Sequence, residues 1–233
     1  MNNNLAAFDI DGTLISSQSQ RLLLAYLFRR HEISFLKYIL IAIWYILYKL
    51  GIVSHVRNIS RYAFSYLKGK TDKELDPIFD DFFRRDCLPS ICRNSTTLIA
   101  SLRRLGFKIV FVSNAIDPIV LRFSKYLGAD EYICTHLSKH DGVYDGDIMG
   151  ESMYGPVKES VLREYAHHNG LSLKDSYAFS DHMSDLPFLQ AVGRPVAVNP
   201  QKSLLSYSKE NNIPVLYLND DESFQYFKSH SLS

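Results

Sequence analysis

Apolar residues occur along the chain in short continuous runs that are separated by segments with helical spacing. The runs at residues 5–10 and 107–113 predict two buried strands. Further strands are predicted at residues 130–137, 176–180, 194–198 and 213–218, with a small hairpin at residues 141–147. Amphipathic helices are predicted between these strands, for example at residues 157–168. This alternation predicts an α/β fold, a Rossmannoid parallel sheet with helices on both faces.

A long helical segment interrupts this pattern after the first strand. Between residues 18 and 85 apolar residues recur at spacings of three and four, and no stretch alternates as a strand would. We therefore expect a helical cap domain at residues 18–85, inserted into a core domain formed by residues 1–17 and 86–233. Such a cap would act as a lid near the carboxyl ends of the strands, where ligands bind in parallel α/β folds.

Charge is distributed unevenly between the two predicted domains. Residues 17–70 contain nine lysines and arginines but only one acidic residue, Glu32, whereas the rest of the chain has an excess of acidic residues. The cap also contains the apolar stretch 33–53. Within it, Lys37 and Lys49 leave too few uncharged residues for a membrane-spanning helix, which needs about 20. The stretch is therefore predicted to be a buried cap helix or an interfacial helix.

The basic residues around this stretch allow two interpretations. They can bind an anionic membrane surface or a lipid phosphate, or they can form a solvated face over a hydrophobic cap core. The residues concerned are Arg29, Arg30, His31, His55, Arg57 and Arg61. The sequence therefore leaves open a peripheral contact between the cap and an anionic membrane.

Composition limits the class of protein. The chain is 46% hydrophobic and 22% charged, which is typical of a globular domain. Its three cysteines form no CxxC pair, and no basic signal-peptide region is visible, so a reducing, cytoplasmic location is expected. If the cap binds lipid, the protein would lie on the inner face of the membrane. No nucleic-acid-binding motif is present, so nucleic acid is not expected as a partner.

Candidate site residues lie where the predicted strands end. They are Asp9 and Asp11 after the first strand, Ser113 and Asn114 at the end of the second, Lys158 in a later helix, and Asp181 and Asp185 after the strand 176–180. Taken singly, each is ordinary turn or helix chemistry. Because the carboxyl ends of parallel strands meet at one edge of a sheet, we expect these residues to form one site. Several carboxylates beside a substrate phosphate predict Mg²⁺ with oxygen ligands.

Four motifs, taken in order, resemble those of the haloacid dehalogenase (HAD) superfamily of phosphohydrolases. They are DIDGTL at residues 9–14, FVSN at residues 111–114, Lys158, and SDHMSDLPFL at residues 180–189. The insert between the first two motifs resembles the helical cap of subfamily IB, which contains phosphoserine phosphatase. The cap is also similar to that of bacterial phosphatidylglycerophosphate phosphatases. The resemblance implies a HAD-like fold and a phosphatase activity.

The resemblance also implies a role for each candidate residue. Asp9 would attack phosphorus and form an aspartyl-phosphate, and Asp11 would act as general acid and base. Mg²⁺ would be held by Asp9, Asp181 and the main-chain carbonyl of Asp11, and Asp185 would orient the metal ligands. The phosphate-binding residues would be Ser113, Asn114 and Lys158.

The sequence predicts the chemical class of the substrate but not its identity. Gln18 stands nine residues after Asp9, where phosphoserine phosphatases have an acidic residue that meets the amino group of the substrate. The predicted substrate is a phosphomonoester, either a lipid phosphate or a small phosphorylated metabolite. The alternatives are a phosphoserine phosphatase-type activity, a phosphotransferase or mutase with the same nucleophile, and a catalytically silent membrane-binding module.

Overall fold

A computed structural model describes residues 3–49 and 64–232 of the chain. Within them, a six-stranded sheet has the strand order β3-β2-β1-β6-β7-β8, and its paired strands are parallel. The strands are β1 (Asn4–Phe8), β2 (Lys108–Ile116), β3 (Glu131–Thr135), β6 (Ser172–Ser180), β7 (Arg194–Val198) and β8 (Val215–Leu216). A separate antiparallel hairpin pairs β4 (Leu137–His140) with β5 (Val143–Ile148).

Helices cover both faces of the six-stranded sheet. In chain order they are α1 (Ser19–Arg29), α2 (Phe35–Lys49), α3 (Asp72–Phe82), α4 (Ser95–Arg104), α5 (Asp117–Leu127), α6 (Pro156–His168), α7 (Leu186–Gln190), α8 (Lys202–Glu210) and α9 (Asp221–Ser231). On β1, Ala6 and Phe8 pack into one buried cluster together with α4, α5 and α9. Leu5 and Ala7 pack into a second cluster together with α6, α7 and α8. The predicted α/β fold is therefore confirmed.

The helices α1, α2 and α3 lie between β1 and β2 in the chain, where the cap was expected. Tyr26 of α1 and Phe79 of α3 belong to the same buried cluster as the central strand. After α3 the helical backbone continues as a π-helical turn at Phe83–Cys87 and a 3₁₀ turn at Leu88–Ser90. The cap helices α1 and α3 thus share one hydrophobic core with the central strand. The limits of the cap at residues 18–85 stay a prediction.

Helix α2 exposes large apolar side chains. Phe35 and Leu36 are 66% and 67% exposed, and Ile43 and Trp44 on the same helix are also exposed. In the described part of the chain, no helix has both the length and the apolar character needed to cross a membrane.

Two of the basic residues expected beside this helix are paired with acidic residues. Arg29 forms an ion pair with Asp86, and Arg30 forms one with Asp81 at 3.0 Å. Their charges are therefore balanced within the protein. Of the other predicted members of this basic group, His31 is exposed, whereas His55, Arg57 and Arg61 lie outside the described residues.

Several boundaries differ from those predicted, among them those of β1, β6 and the hairpin. β1 ends at Phe8, two residues early, because the chain turns there. β6 begins at Ser172, four residues early, because only Leu173 among its first four residues is apolar, so no apolar run marks them. The hairpin covers residues 137–148, since its turn lies at Asp141 and Gly142, whose φ angles are 51° and 77°.

Candidate active site

A tight turn follows β1 at the carboxyl edge of the sheet. The carbonyl of Ile10 accepts hydrogen bonds from the main-chain N–H groups of Thr13, Leu14 and Ile15, at 3.0 to 3.2 Å. Gly12 has a φ of +83°, a left-handed conformation that glycine adopts without strain. The turn therefore keeps the two acidic residues that flank Ile10 at this edge.

Asp9 forms a buried ion pair with Lys158. Lys158 Nζ lies 2.7 Å from Asp9 Oδ1 and 2.6 Å from Asp185 Oδ2. The hydroxyl of Ser180 donates to the same oxygen of Asp185 at 2.7 Å. Lys158 is only 3% exposed. One ammonium group thus joins the carboxylates that follow β1 and β6.

The ionisation of each group in this buried set depends on its neighbours. Burial opposes the charged form of Lys158, but Asp9 and Asp185 outweigh it and keep the pKa of Lys158 above its ordinary value. Burial also raises the pKa of Asp9. Lys158 opposes that rise, while Asp185 and Asp181 add to it. The edge therefore holds more acidic groups than its single lysine can balance.

Asp11 is held by the start of the cap rather than by Lys158. Its Oδ1 accepts the main-chain N–H of Ser19 at 2.8 Å, and its Oδ2 accepts the Ser19 hydroxyl at 2.9 Å. Burial, followed by the charge of Asp9, raises the pKa of Asp11 to about 7, although the two bonds from Ser19 lower it. A carboxyl group with this pKa can both donate and accept a proton at neutral pH.

Asp181 lies against the turn at Gly12. A Cβ atom at Gly12 would lie 2.3 Å from Asp181 Oδ2, so only glycine allows this approach. The side-chain amide of Gln201 donates to Asp181 Oδ2 at 3.1 Å. Burial raises the pKa of Asp181 to about 6, and the bond from Gln201 opposes the rise. The carboxylate is thus fixed beside the main chain of the acidic motif.

The predicted phosphate-binding residues of β2 lie in an irregular part of that strand. Ser113 is fully buried, and its Oγ accepts the main-chain N–H of Ala115 at 3.2 Å, so its own proton remains able to donate. The pairing of β2 with β3 shifts register just after Ser113, a feature that can redirect side chains near active sites. Asn114 Oδ1 accepts the hydroxyl of Thr135 at 3.3 Å. No hydrogen bond in the described part of the chain joins Ser113 or Asn114 to the buried ion pair.

The donor set at this edge fits Mg²⁺. In residues 3–49 and 64–232, no three His, Cys, Asp or Glu side chains form a metal-binding group. The predicted ligand set needs only two carboxylates, those of Asp9 and Asp181, together with the carbonyl of Asp11. These are hard oxygen donors, and burial raises the pKa of both carboxylates, so a cation would favour their ionised forms. Asp185 is paired with Lys158, and its role in orienting the metal ligands stays a prediction.

Several residues that hold the site in place were not predicted. Ser19, Ser180, Gln201 and Thr135 each hydrogen-bond a predicted site residue. Ser19 had a usable signal, since serine is common where a helix begins and α1 starts shortly after the acidic motif. Gln201 and Thr135 had none, because only the completed sheet brings the loop after β7 and the end of β3 to this edge.

Comparison with known proteins identifies one family. A model of the haloacid dehalogenase-like hydrolases matches residues 6–190. The chain is 34% identical over 128 residues to a probable phosphatase of Mycobacterium tuberculosis, a match that covers 55% of this chain and 44% of that protein. It is 27% identical over 231 residues to a histidinol-phosphatase of Neisseria meningitidis serogroup C, covering 91% of this chain and 98% of that protein. The chain thus spans about half the length of the first relative and nearly all of the second.

Solved structures share the fold at lower identity. A protein of unknown function from Bordetella pertussis Tohama I superposes with a TM-score of 0.84 at 22% identity, over 92% of this chain and 98% of that chain. A phospho-aspartyl intermediate analogue of phosphoserine phosphatase superposes with a TM-score of 0.67 at 19% identity, over 97% of this chain and 99% of that chain. The family model covers the four sequence motifs from Asp9 to Leu189, and the similar structures share the fold that carries them. The chain belongs to the haloacid dehalogenase-like hydrolase family.

Proposed function

We propose that the protein hydrolyses phosphomonoesters by transferring the phosphoryl group to Asp9. The observation that carries this proposal is the buried pairing of Asp9 with Lys158. Lys158 fixes Oδ1 of Asp9, whereas Oδ2 has only a 3.4 Å contact from the Thr13 hydroxyl and is available to attack phosphorus. The relatives named probable phosphatase and histidinol-phosphatase support the same class of reaction.

The two acidic residues of the turn would act in sequence. Asp9 Oδ2 would bond to phosphorus as the ester P–O bond breaks, and the leaving oxygen would take the proton of Asp11. Asp11 would then accept a proton from a water molecule as that water attacks phosphorus. The bond to Asp9 would break and inorganic phosphate would leave. A pKa of about 7 suits Asp11 to both proton transfers.

The remaining site residues would bind and neutralise the phosphate. Lys158, the hydroxyl of Ser113 and the amide of Asn114 would hold its oxygen atoms. Mg²⁺, held by Asp9, Asp181 and the carbonyl of Asp11, would supply the positive charge that stabilises a phosphoryl group in transfer.

A phosphate-release assay with a panel of small and lipid phosphomonoesters tests this function. The wild type in Mg²⁺ should release inorganic phosphate without an added sugar acceptor, which a mutase would need, and Asp9→Asn should not. If the wild type released phosphate from no ester of the panel, the proposal would be wrong.

A small phosphorylated metabolite is our leading substrate class, because the histidinol-phosphatase relative matches nearly the whole chain. A lipid phosphate is the second candidate, favoured by the exposed apolar side chains of α2. In that case α2 would rest on an anionic bilayer and bring the lipid to the cap.

Vesicle co-sedimentation separates the two substrate classes. If the lipid candidate is right, the protein should bind vesicles that contain acidic lipid, and binding should weaken with salt. The double substitution of Phe35 and Leu36 by Ser should reduce binding, since both side chains are exposed. Absence of binding to acidic vesicles would leave the small-metabolite candidate alone.

A further inference from the structure

A polar cavity of about 380 Å³ opens beside the candidate active site. Gly12 and Asp181 form part of its wall, so the cavity adjoins the acidic turn. The rest of the wall comes from the segment that leads into α1, which contributes Gln18, from Arg21 in the first turn of α1, and from loops that follow β7 and β8. A group bound here would lie between the cap and the core, next to the site of phosphoryl transfer.

Among the described residues that form this wall, Arg21 is the only cationic side chain. The members of the wall are Gly, Ser, Asn and Gln residues, apart from one arginine, Arg21, and one acid, Asp181. Asp181 is already engaged, because Gln201 donates to its Oδ2 at 3.1 Å and it is a proposed magnesium ligand. With no other acidic side chain in the wall, the cavity offers nothing that would pair with a cationic group of a substrate.

Arg21 itself has no partner. Among the arginines in the described part of the chain, Arg21 alone makes no hydrogen bond or ion pair. It also lies in the first turn of α1, where the helix dipole disfavours a positive charge. Arg21 is exposed and lines the cavity, so no group in the described part of the chain competes with a bound ligand for its guanidinium.

We propose that this cavity receives the alcohol part of the substrate and that Arg21 binds a second anionic group carried by that part. The substrate class would then be phosphomonoesters whose alcohol bears a carboxylate or another anion. The inference rests on the proposed phosphatase function and narrows its substrate. Arg21 would act as a specificity-determining residue, because a guanidinium binds a carboxylate through two parallel hydrogen bonds and repels an ammonium group.

Three two-carbon phosphate esters that differ only in charge test this assignment. They are phosphoglycolate, ethyl phosphate and phosphoethanolamine, which carry a carboxylate, no further charge and an ammonium group. Wild-type kcat/KM should decrease in that order. In Arg21→Gln the ratio of kcat/KM for phosphoglycolate to that for phosphoethanolamine should fall by roughly 10- to 100-fold, mainly through a higher KM for phosphoglycolate. Arg21→Glu should invert the preference, and Arg21→Lys should retain part of it.

Arg84→Gln is the matched control, because Arg84 is an exposed arginine that does not line the cavity. Its substrate ratio should equal that of the wild type. Calorimetric binding of phosphoglycolate to Asp9→Asn, with and without Arg21→Gln, measures the same contact without turnover.

The two possible failures give different results. An unchanged substrate ratio in Arg21→Gln and Arg21→Glu, with unchanged phosphoglycolate binding, would overturn the role of Arg21 while leaving the phosphatase function intact. Absence of phosphate release from every ester would overturn the proposed function, and the binding measurement would then decide the role of Arg21 by itself.

Discussion

At the scale of single residues, Lys158 is the side chain that compensates the negative charge of the buried carboxylates at the candidate site. It contacts the carboxylates of Asp9 and Asp185 at 2.7 and 2.6 Å, and it is almost fully buried. Removing one partner of such a buried pair costs about 3–5 kcal/mol, because the other charge stays unpaired. Substitution of Lys158 would therefore mix a loss of folding with a loss of function. Asp9 is the better probe, since Asp185 would still pair with the lysine.

Asp9→Asn should abolish turnover while the protein stays folded. The amide keeps the shape of the carboxylate but lacks its negative charge, so attack on phosphorus should slow by at least about 10³-fold. Phosphate release measures the rate, and circular dichroism with a thermal melt measures folding. Near-normal turnover in this variant would rule out the aspartyl-phosphate route.

Gly12→Ala should damage both stability and activity. The residue has a φ of +83°, and its new Cβ would lie 2.3 Å from Asp181 Oδ2, so the carboxylate would have to move. Backbone strain of this kind costs about 1–3 kcal/mol, and displacement of Asp181 should also weaken Mg²⁺ binding. Thermal melts and the Mg²⁺ dependence of turnover measure the two effects.

Gly142→Ala separates the effect of backbone strain from the effect of the clash with Asp181. Gly142 has a φ of +77° with no neighbour within 4 Å of a built Cβ, so it shares the strain but not the clash. It should lose stability while its Mg²⁺ dependence stays normal. Equal Mg²⁺ dependence in both variants would show that Asp181 does not need the space at Gly12.

The sequence predicted the acidic, hydroxyl and lysine residues of the candidate site because each was expected to end a strand or begin a helix. It could not identify their partners. Lys158 and Asp185 lie 27 residues apart and Lys158 and Asp9 lie 149 apart, so their contact depends on how the sheet is assembled. Arg21 illustrates the same limit, since only a structure shows that a surface arginine lacks a partner.

Helix α3 is one of the elements that attach the predicted cap to the core. Its first residue, Asp72, accepts hydrogen bonds from Lys139 of the hairpin through both oxygens at 2.7 Å and from the Tyr144 hydroxyl at 2.6 Å. Farther along, Arg122 of α5 donates to side-chain oxygens of Asp76 and Asp80 at 3.0 and 2.8 Å. Helix α3 is thus bound to the core at two points along its length.

Arg122→Met should loosen this attachment. Arg122 is 9% exposed and also donates to the main-chain carbonyls of Asp76 and Pro118, so the substitution removes those two hydrogen bonds together with the two ion pairs. We expect a loss of about 1–3 kcal/mol in the free energy of unfolding, measured by urea denaturation. Arg163→Met, which removes an exposed pair with Glu159, should cost no more than about 0.5 kcal/mol. Equal losses of unfolding free energy in the two variants would contradict a stabilising role for Arg122 in attaching α3 to α5.

Continuous apolar runs predicted most elements well, and polar segments did not. The strand at residues 194–198 has the predicted limits, since every neighbour outside it breaks the pattern. The early start of β6 at Ser172 was not visible, because no apolar run marks residues 172–175. The attachment of α3 through Arg122 was not visible either, because its acidic partners are distant in sequence.

At the scale of the whole molecule, the buried acids make stability depend on pH and on metal. The pKa values of Asp11 and Asp181 are raised from 3.8 to about 7 and about 6. Between about pH 4 and pH 7, these two carboxyl groups therefore hold more protons in the native state than in the unfolded chain. Without metal, the free energy of unfolding should fall as the pH rises from about 4 to about 7.

Mg²⁺ should reverse this loss, because it favours the ionised carboxylates. The increase in Tm on adding Mg²⁺ should grow from about pH 5 to about pH 8, measured against samples with chelator. Asp181→Asn should show a smaller increase and a flatter metal-free profile. A Tm that ignores Mg²⁺ at every pH would contradict the metal site.

The central place of β1 has a consequence for how the protein is made. This strand comes first in the chain, yet its sheet partners β2 and β6 begin about 100 and about 160 residues later. At about 5–20 residues per second, a ribosome would need roughly 5–20 s to deliver the nearer partner. Throughout that interval a short, mostly apolar strand would have both edges open to the wrong neighbours. The segment that ends in the middle of the sheet thus spends a long part of synthesis without either of its native partners.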